Sequence, residues 1–241
     1  MYQFKETIDQ IGHFWFDKKL IENKNWAALP PASKSVYPVI ACYGNEKGES
    51  FPGEQTIAIL SGRTDKIVRK GIAGLEDFPG VTVSPYVTRR GRRSKRFIIQ
   101  RHNKERGRYF PFYREVLEAG NWLHLKPSAQ ALYPVMRCYG YFDVHSYDTD
   151  LSPNDFFEDL ENYREREYDI CEAEIDVLAE YAGITKRSVY DAIKNLEQCK
   201  LIEKDDYGGW KVFLHPQGWY ERSYLNQEII NKYKHIKKSE E

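Results

Sequence analysis

The residues best equipped for chemistry in this chain are cations, and they are clustered. The 241 residues include 36 Lys or Arg and 36 Asp or Glu, so the formal net charge is zero. Yet residues 62–108 hold fourteen basic side chains against four acids, and residues 141–169 hold ten acids against only Arg164 and Arg166. A neutral total built from opposed blocks points to local electrostatic function, which the isoelectric point conceals. The densest run is Arg89-Arg90-Gly91-Arg92-Arg93-Ser94-Lys95-Arg96. Guanidinium forks and ammonium groups at that density suit a phosphate backbone. A solvated charged loop, or a patch facing RNA or lipid, is the alternative use.

Signals for covalent chemistry are weak. His13, His102, His124, His145, His215 and His235 are scattered, and there is no glycine-rich phosphate loop, His-Glu-x-x-His or nucleophile elbow. Asp169, Glu172 and Glu174 resemble a carboxylate cluster, but the solvated start of a helix accounts for them. The expectation is a protein that is not an enzyme and needs no cofactor or metal. Cys42, Cys138, Cys171 and Cys199 stand singly, and the first two fall on apolar helix faces. They read as buried reduced thiols, hence a reducing, cytoplasmic compartment. No apolar run is long enough to span a bilayer, and Met1 to Glu6 lacks the basic-then-apolar plan of a signal peptide.

The elements that would position the cations occur twice. Phe14, Phe16, Leu20, Ile21, Glu22, Asn25 and Trp26 recur 96 positions later as Phe110, Phe112, Val116, Leu117, Glu118, Asn121 and Trp122. Pro31, Tyr37, Pro38, Val39, Cys42, Tyr43 and Gly44 recur at the same offset. The offset then becomes 121: Gly62, Thr64, Val68, Ile72 and Leu75 return as Gly183, Thr185, Val189, Ile193 and Leu196. The second copy therefore carries an insert. The repeat length is that of a small domain, far beyond a solenoid period.

In the first copy, His13 to Phe16 suits a strand, and Asp17 to Trp26 has helical spacing. Ser33 to Tyr43 reads as a helix that Pro38 should bend and Gly44 should close. Gly48 to Gly53 reads as a loop. Glu54 to Ser61 is a short helix, Gly62 a tight turn, and Thr64 an N-cap for a helix reaching about Asp77 on a Val68, Ile72 and Leu75 stripe. Gly71 and Gly74 weaken that helix unless a neighbouring helix or a duplex approaches closely there. Val81 to Val87 alternates and Phe97 to Ile99 is a second apolar run, together two strands of a hairpin with the arginine run as the loop between them. The second copy repeats the plan. Ser128 to Tyr139 and Glu172 to Tyr181 are helices, and Thr185 caps another running to about Cys199. Leu201–Lys204 and Trp210–Leu214 form a hairpin with the tight acidic tip Asp205 to Gly209.

The predicted class is α+β and mainly helical: two tandem winged-helix domains, each a helix-turn-helix plus a β-hairpin wing, with a C-terminal helix. The boundaries fall at 1–103, 104–216 (acidic insert 141–169) and 217–241.

The segments Ala32-Ser33-Lys34-Ser35-Val36-Tyr37, Gly48-Glu49-Ser50-Phe51-Pro52-Gly53-Glu54-Gln55-Thr56-Ile57-Ala58 and Ser61-Gly62-Arg63-Thr64 resemble the helix-turn-helix family of plasmid and phage replication initiators and related regulators. The likeness covers roughly residues 26–77, and in the second copy Leu125 to Tyr139 and Ile175 to Leu196. Thr64 stands where the family usually has serine, which keeps the capping group. Asp65 stands where a basic residue is common, which weakens phosphate contact there. The resemblance implies sequence-specific binding of double-stranded DNA, serving replication initiation or transcription control, by a protein of mobile-element type associated with the nucleoid.

On that reading the second helix of each pair enters a major groove. In the first copy Arg69 is the candidate for a bidentate contact to guanine, with Lys66 and Lys70 on phosphates. Arg89, Arg90, Arg92, Arg93, Lys95 and Arg96 form the basic wing, one arginine entering the minor groove. Six phosphate contacts would make log affinity fall with log salt at a slope of roughly −5. In the second copy Lys186, Arg187, Tyr190 and Lys194 face outward, and the acidic wing is repelled by a backbone. The second copy then either reads DNA with its helix alone or serves as a contact for a protein partner. The acidic insert either supports that partner contact or folds over the basic surface of the first copy and restrains binding, and the C-terminal helix would dock on the second copy or form a homodimer. The rival class is a structural, protein-interaction module in a chromosome-organising complex, which has no need of a basic wing.

Overall fold

The computed structural model describes residues 13–45, 47–88, 91, 93–99, 109–141 and 167–215. Residues 154–166, which the spacing of the insert predicts as an acidic helix, the domain boundary at 103/104 and the C-terminal helix lie outside the described residues.

Strand β1 (His13–Asp17) opens the chain. Two four-residue helices follow, α1 (Lys19–Glu22) and α2 (Asn25–Ala28), where periodicity predicted one helix. Lys24 breaks it, standing between them in the left-handed conformation at φ 60°. The second copy divides at the same place, with Gly120 at φ 80° between α6 (Glu115–Glu118) and α7 (Asn121–His124). Glycine tolerates that backbone, and lysine adopts it at a cost on the order of 1 kcal/mol.

Helix α3 (Pro31–Cys42) and its counterpart α8 (Pro127–Tyr139) each begin on a proline at the first turn, where no donor is lost. Each runs through its internal proline, Pro38 or Pro134, as one element. The C-cap of α3 is Tyr43, and Gly44, expected to close the helix, lies just beyond it without left-handed backbone. Gly140 is extended, and a Cβ there would lie 2.8 Å from the Asp169 side chain, so close approach is what selects it.

The remaining elements of the first copy are β2 (Glu49–Ser50), α4 (Glu54–Ser61), α5 (Asp65–Ala73), β3 (Val81–Val87) and β4 (Arg93–Ile99). Those of the second are β6 (Tyr168–Cys171), α9 (Ile175–Ala182), α10 (Lys186–Gln198), β7 (Ile202–Lys204) and β8 (Trp210–Phe213). Each copy makes a three-stranded antiparallel sheet of the same topology, β2-β4-β3 and β6-β8-β7. The small strands β2 and β6 were read as loop and helix start, because two to four residues carry too little alternation to register. Pro85 sits on β3, an edge strand, where its missing donor costs nothing to the ladder. Glycine turns at Gly62 (φ 66°) and Gly183 (φ 64°) join the helix pairs as expected. The fold is therefore mixed α and β with small antiparallel sheets. The stripes Val68, Ile72, Leu75 and Val189, Ile193, Leu196 are all buried.

The two copies share one core. Strand β1 pairs antiparallel with β5 (Tyr109–Tyr113), with Trp15 opposite Pro111, Phe14 opposite Phe112 and Phe16 opposite Phe110. Phe14 and Phe110 are repeat equivalents, as are Phe16 and Phe112, so each residue faces its counterpart's neighbour across a common centre. Phe16 and Phe110 stack with ring centroids 5.0 Å apart, and Phe14 and Phe112 with centroids 5.2 Å apart. The inward alternation of the strand leaves Trp15 on the outer face.

The other contacts between copies are reciprocal in the same way. Trp26 Nε1 donates to the Ala131 carbonyl (2.9 Å), and Trp122 Nε1 to the Ser35 carbonyl (3.0 Å). Lys34 Nζ donates to the carbonyl of Ala182 (2.8 Å), and its equivalent Gln130 donates Nε2 to that of Ser61 (3.2 Å). Gly62 abuts the Leu123 carbonyl and Gly183 the Ala27 carbonyl; a Cβ at either glycine would be 2.2 Å from the oxygen. In each pair both partners of one contact map onto both partners of the other. That is the signature of an isologous, twofold interface, here within one chain. Helices α3 and α8 pack against each other at its centre.

Candidate nucleic-acid interface

Helices α5 and α10 bury one stripe against α3 and α8 and expose the other. Gly71 and Gly74 serve this packing, which decides between the two uses left open for them. A Cβ on Gly71 would lie 2.7 Å from the Ala32 carbonyl, and one on Gly74 would lie 2.4 Å from Ser33 Oγ. Ser33 Oγ donates to the Gly71 carbonyl at 2.9 Å, so the glycines admit α3. Helix α5 ends at Ala73, one residue before Gly74 and short of the expected Asp77. Thr64 occupies the N-cap with extended backbone, but its side chain makes no cap bond; Thr185 does, accepting from Ser188 N at 3.2 Å.

On the outer stripe of α5, Asp65, Lys66, Arg69, Lys70 and Ala73 are all exposed. Arg69 Nε donates to Glu54 Oε2 at 3.1 Å, from the start of α4. This exposed pair orients the guanidinium more than it stabilises the fold. The fork's terminal nitrogens have no partner among the described residues. On α10, Lys186, Arg187, Tyr190, Asp191 and Lys194 are exposed, and Lys186 Nζ pairs with Asp176 at 2.7 Å. Tyr190 leaves 56 % of its surface in water, a large apolar face for a helix exterior.

The arginine run is shorter as a loop than the sequence suggested. Strand β4 begins at Arg93, so Arg93, Lys95 and Arg96 stand on a ladder opposite Val87, Pro85 and Ser84. Arg93 is exposed near the turn. Lys95 reaches Glu76 at 3.7 Å, and Arg96 reaches Glu49 at 3.6 Å and Ser84 Oγ at 3.4 Å. These two cations are partly committed within the fold. Arg89, Arg90 and Arg92 lie outside the described residues. The second hairpin closes tightly: Asp205 N donates to the Gly209 carbonyl at 3.0 Å, and Tyr207 at its tip is 92 % exposed.

Several ionic residues belong to the interior instead. Arg63, counted in the positive block, crosses to the other copy, where Nη2 meets the Leu125 carbonyl (3.2 Å) and Gln130 Oε1 (2.5 Å). Burial lowers its pKa. Lys34 is 2 % exposed and also donates to the Ala27 carbonyl at 3.0 Å; burial pulls its pKa down to about 8. Asp169 is not part of a solvated helix start. It is buried on β6, with Oδ2 3.5 Å from Nε of Arg137, itself buried on α8 and donating to the Pro111 carbonyl at 3.0 Å. Their partners lie far along the chain, so nothing local in the sequence marks these. The four cysteines form no disulfide, and Cys138, Cys171 and Cys199 are buried. Burial raises the Cys138 thiol to about 12 and the Cys171 thiol to about 11, so neither is poised as a nucleophile.

No helix among the described residues is long and apolar enough to cross a membrane. Comparison with protein-family models, curated proteins and solved structures returned no match in any of the three.

Proposed function

We propose that this chain binds double-stranded DNA as a pair of winged helices, serving replication initiation or transcription control. In this reading α4–α5 and α9–α10 are the helix-turn-helix units and β3–β4 is the cationic wing. The observation that carries it is the outer stripe of α5, where Lys66, Arg69 and Lys70 stand exposed on one face while the opposite stripe is packed. A helix edge of that charge matches the width and potential of the major groove. The Glu54 carboxylate holds Arg69 by Nε and leaves its fork for a base edge. Helix α10 supports a second reading head in which Arg187 and Lys194 meet phosphates and Tyr190 packs against bases or sugars.

The acidic tip of the second hairpin supports a division of labour. Asp206 and Tyr207 are exposed there, and a phosphate backbone would repel the carboxylate. That tip is the natural contact for a protein partner, and it is the one observation favouring the rival interaction-module class.

Gel-shift titration of duplex DNA over a salt series tests the proposal. Each phosphate contact contributes roughly −0.9 to the slope of log affinity against log salt. Lys66→Ala with Lys70→Ala should flatten that slope by about 2 and weaken binding at every sequence alike. Arg69→Ala should relax specificity at one base pair, at about 1–3 kcal/mol. A wild-type chain that ignores duplexes at low salt refutes the proposal.

A further inference from the structure

We propose that the DNA site read by one copy of this chain is an inverted, bipartite element, with two unlike half-sites in opposite orientation. The inference rests on the duplex-binding reading above and deepens it.

A duplicated sequence on one chain suggests beads in a row, which would read direct repeats. The contacts between the copies say otherwise. Strands β1 and β5 pair about Trp15 and Pro111, the two tryptophan N–H bonds exchange equivalent carbonyls, and Gly62 and Gly183 each seat on the other copy's short helix. The copies are thus related by a rotation near 180°, which sets α5 and α10 at equal heights along one axis. A single duplex touching both helices in equivalent ways must be carried roughly onto itself by that rotation. Across the duplex, that requirement places the rotation axis on one of its local dyads, perpendicular to the helix. Dyad-related readers meet half-sites of opposite polarity, as dimeric helix-turn-helix proteins do on palindromes.

The half-sites cannot be alike, because the readers are not. Position by position along the outer stripes, Asp65 corresponds to Lys186, Lys66 to Arg187, Arg69 to Tyr190, Lys70 to Asp191 and Ala73 to Lys194. Only one of the five keeps its charge. The hairpins differ too: Arg93 is exposed on the first, and acids with Tyr207 cap the second. Backbone protection should therefore reach further on the flank of the half-site read by α5.

Selection of sites from a randomised duplex library by the full chain, with complex mass measured by light scattering, tests this. The expected result is one chain per duplex on two dissimilar motifs of opposite orientation. A variant with Lys186→Asp, Arg187→Lys, Tyr190→Arg, Asp191→Lys and Lys194→Ala carries the same reader twice, and its selected site should become close to a perfect palindrome. Direct repeats, a single half-site, two duplexes per chain, or a palindrome holding two chains would overturn the inference while leaving duplex binding intact. Absence of any binding would instead remove the reading on which it rests. All five replaced side chains are exposed, and a circular dichroism melt reports whether the variant folds. If it does not, the wild-type selection and stoichiometry decide alone.

Discussion

Replacing Lys34 with Gln should stabilise this protein, although it removes two hydrogen bonds made by an ammonium group. Lys34 is 2 % exposed and sits between the ends of α2 and α9, with Nζ 3.0 Å from the Ala27 carbonyl and 2.8 Å from the Ala182 carbonyl. The C-terminal carbonyls of a helix favour a cation, which explains why the site accepts one at all. Desolvation still dominates and lowers its pKa from 10.5 to about 8. Keeping the group protonated at neutral pH therefore costs the fold about 3 kcal/mol. The second copy solves the same problem without a charge. Gln130, its equivalent, donates to the carbonyls of Ser61 (3.2 Å) and Trp122 (2.8 Å). If Lys34→Gln keeps one such bond and loses another, about 1–2 kcal/mol is given back. A net gain on the order of 1 kcal/mol remains, or a rise in Tm of about 2–4 °C.

The pH dependence provides the sharper test. The folded-state pKa of Lys34 lies below the unfolded one. Between about 8 and 10.5 the unfolded chain thus holds the extra proton, and this group makes stability rise with pH. Its cost is fully present below about 8 and gone above 10.5. The buried thiols of Cys138 and Cys171 and the buried phenol of Tyr37 have raised pKa values, so they act with the opposite sign as the unfolded chain ionises first. The wild-type curve alone mixes these. The quantity to measure is the difference in urea unfolding free energy between Lys34→Gln and wild type across this range, where the variant's advantage should shrink steadily. A variant less stable at pH 7, with a difference that stays flat up to pH 10.5, would show that the buried ammonium is not the cost described here.

Two further predictions concern the seam between the copies. Gly183→Ala puts a Cβ 2.2 Å from the Ala27 carbonyl oxygen at φ 64°, and should cost about 3 kcal/mol or more from strain and forced separation together. Gly62→Ala should cost a similar amount by symmetry, and near-neutral melts for both would refute the reciprocal packing. Arg137→Met removes the buried guanidinium paired with Asp169 Oδ2, and should cost about 3–5 kcal/mol in urea unfolding. Adding Asp169→Asn should recover most of that loss, and a strictly additive double variant would deny the coupling.

The repeat, the glycine-turned helix pairs, the hairpins and the cationic outer stripe of α5 were all legible in the sequence. They rest on signals within one or two turns: Val68, Ile72 and Leu75 at helical spacing, Gly62 and Gly183 where only a left-handed residue fits, and alternation from Val81 onward. Periodicity reports whether a side chain points inward or outward, but it carries no record of what covers the inward face. So the sequence counts Arg63 in the positive block with no sign that it is interior, reads Asp169 as solvated and leaves Gly71 and Gly74 open between two neighbours. Each was decided by a partner far along the chain: Gln130 for Arg63, Arg137 for Asp169, and α3 for the two glycines. The same holds for the twofold relation of the copies. A duplicated sequence is compatible with any arrangement of its halves. It is the pairing of β1 with β5, and the exchange of Trp26 and Trp122 across the common core, that makes the arrangement a rotation.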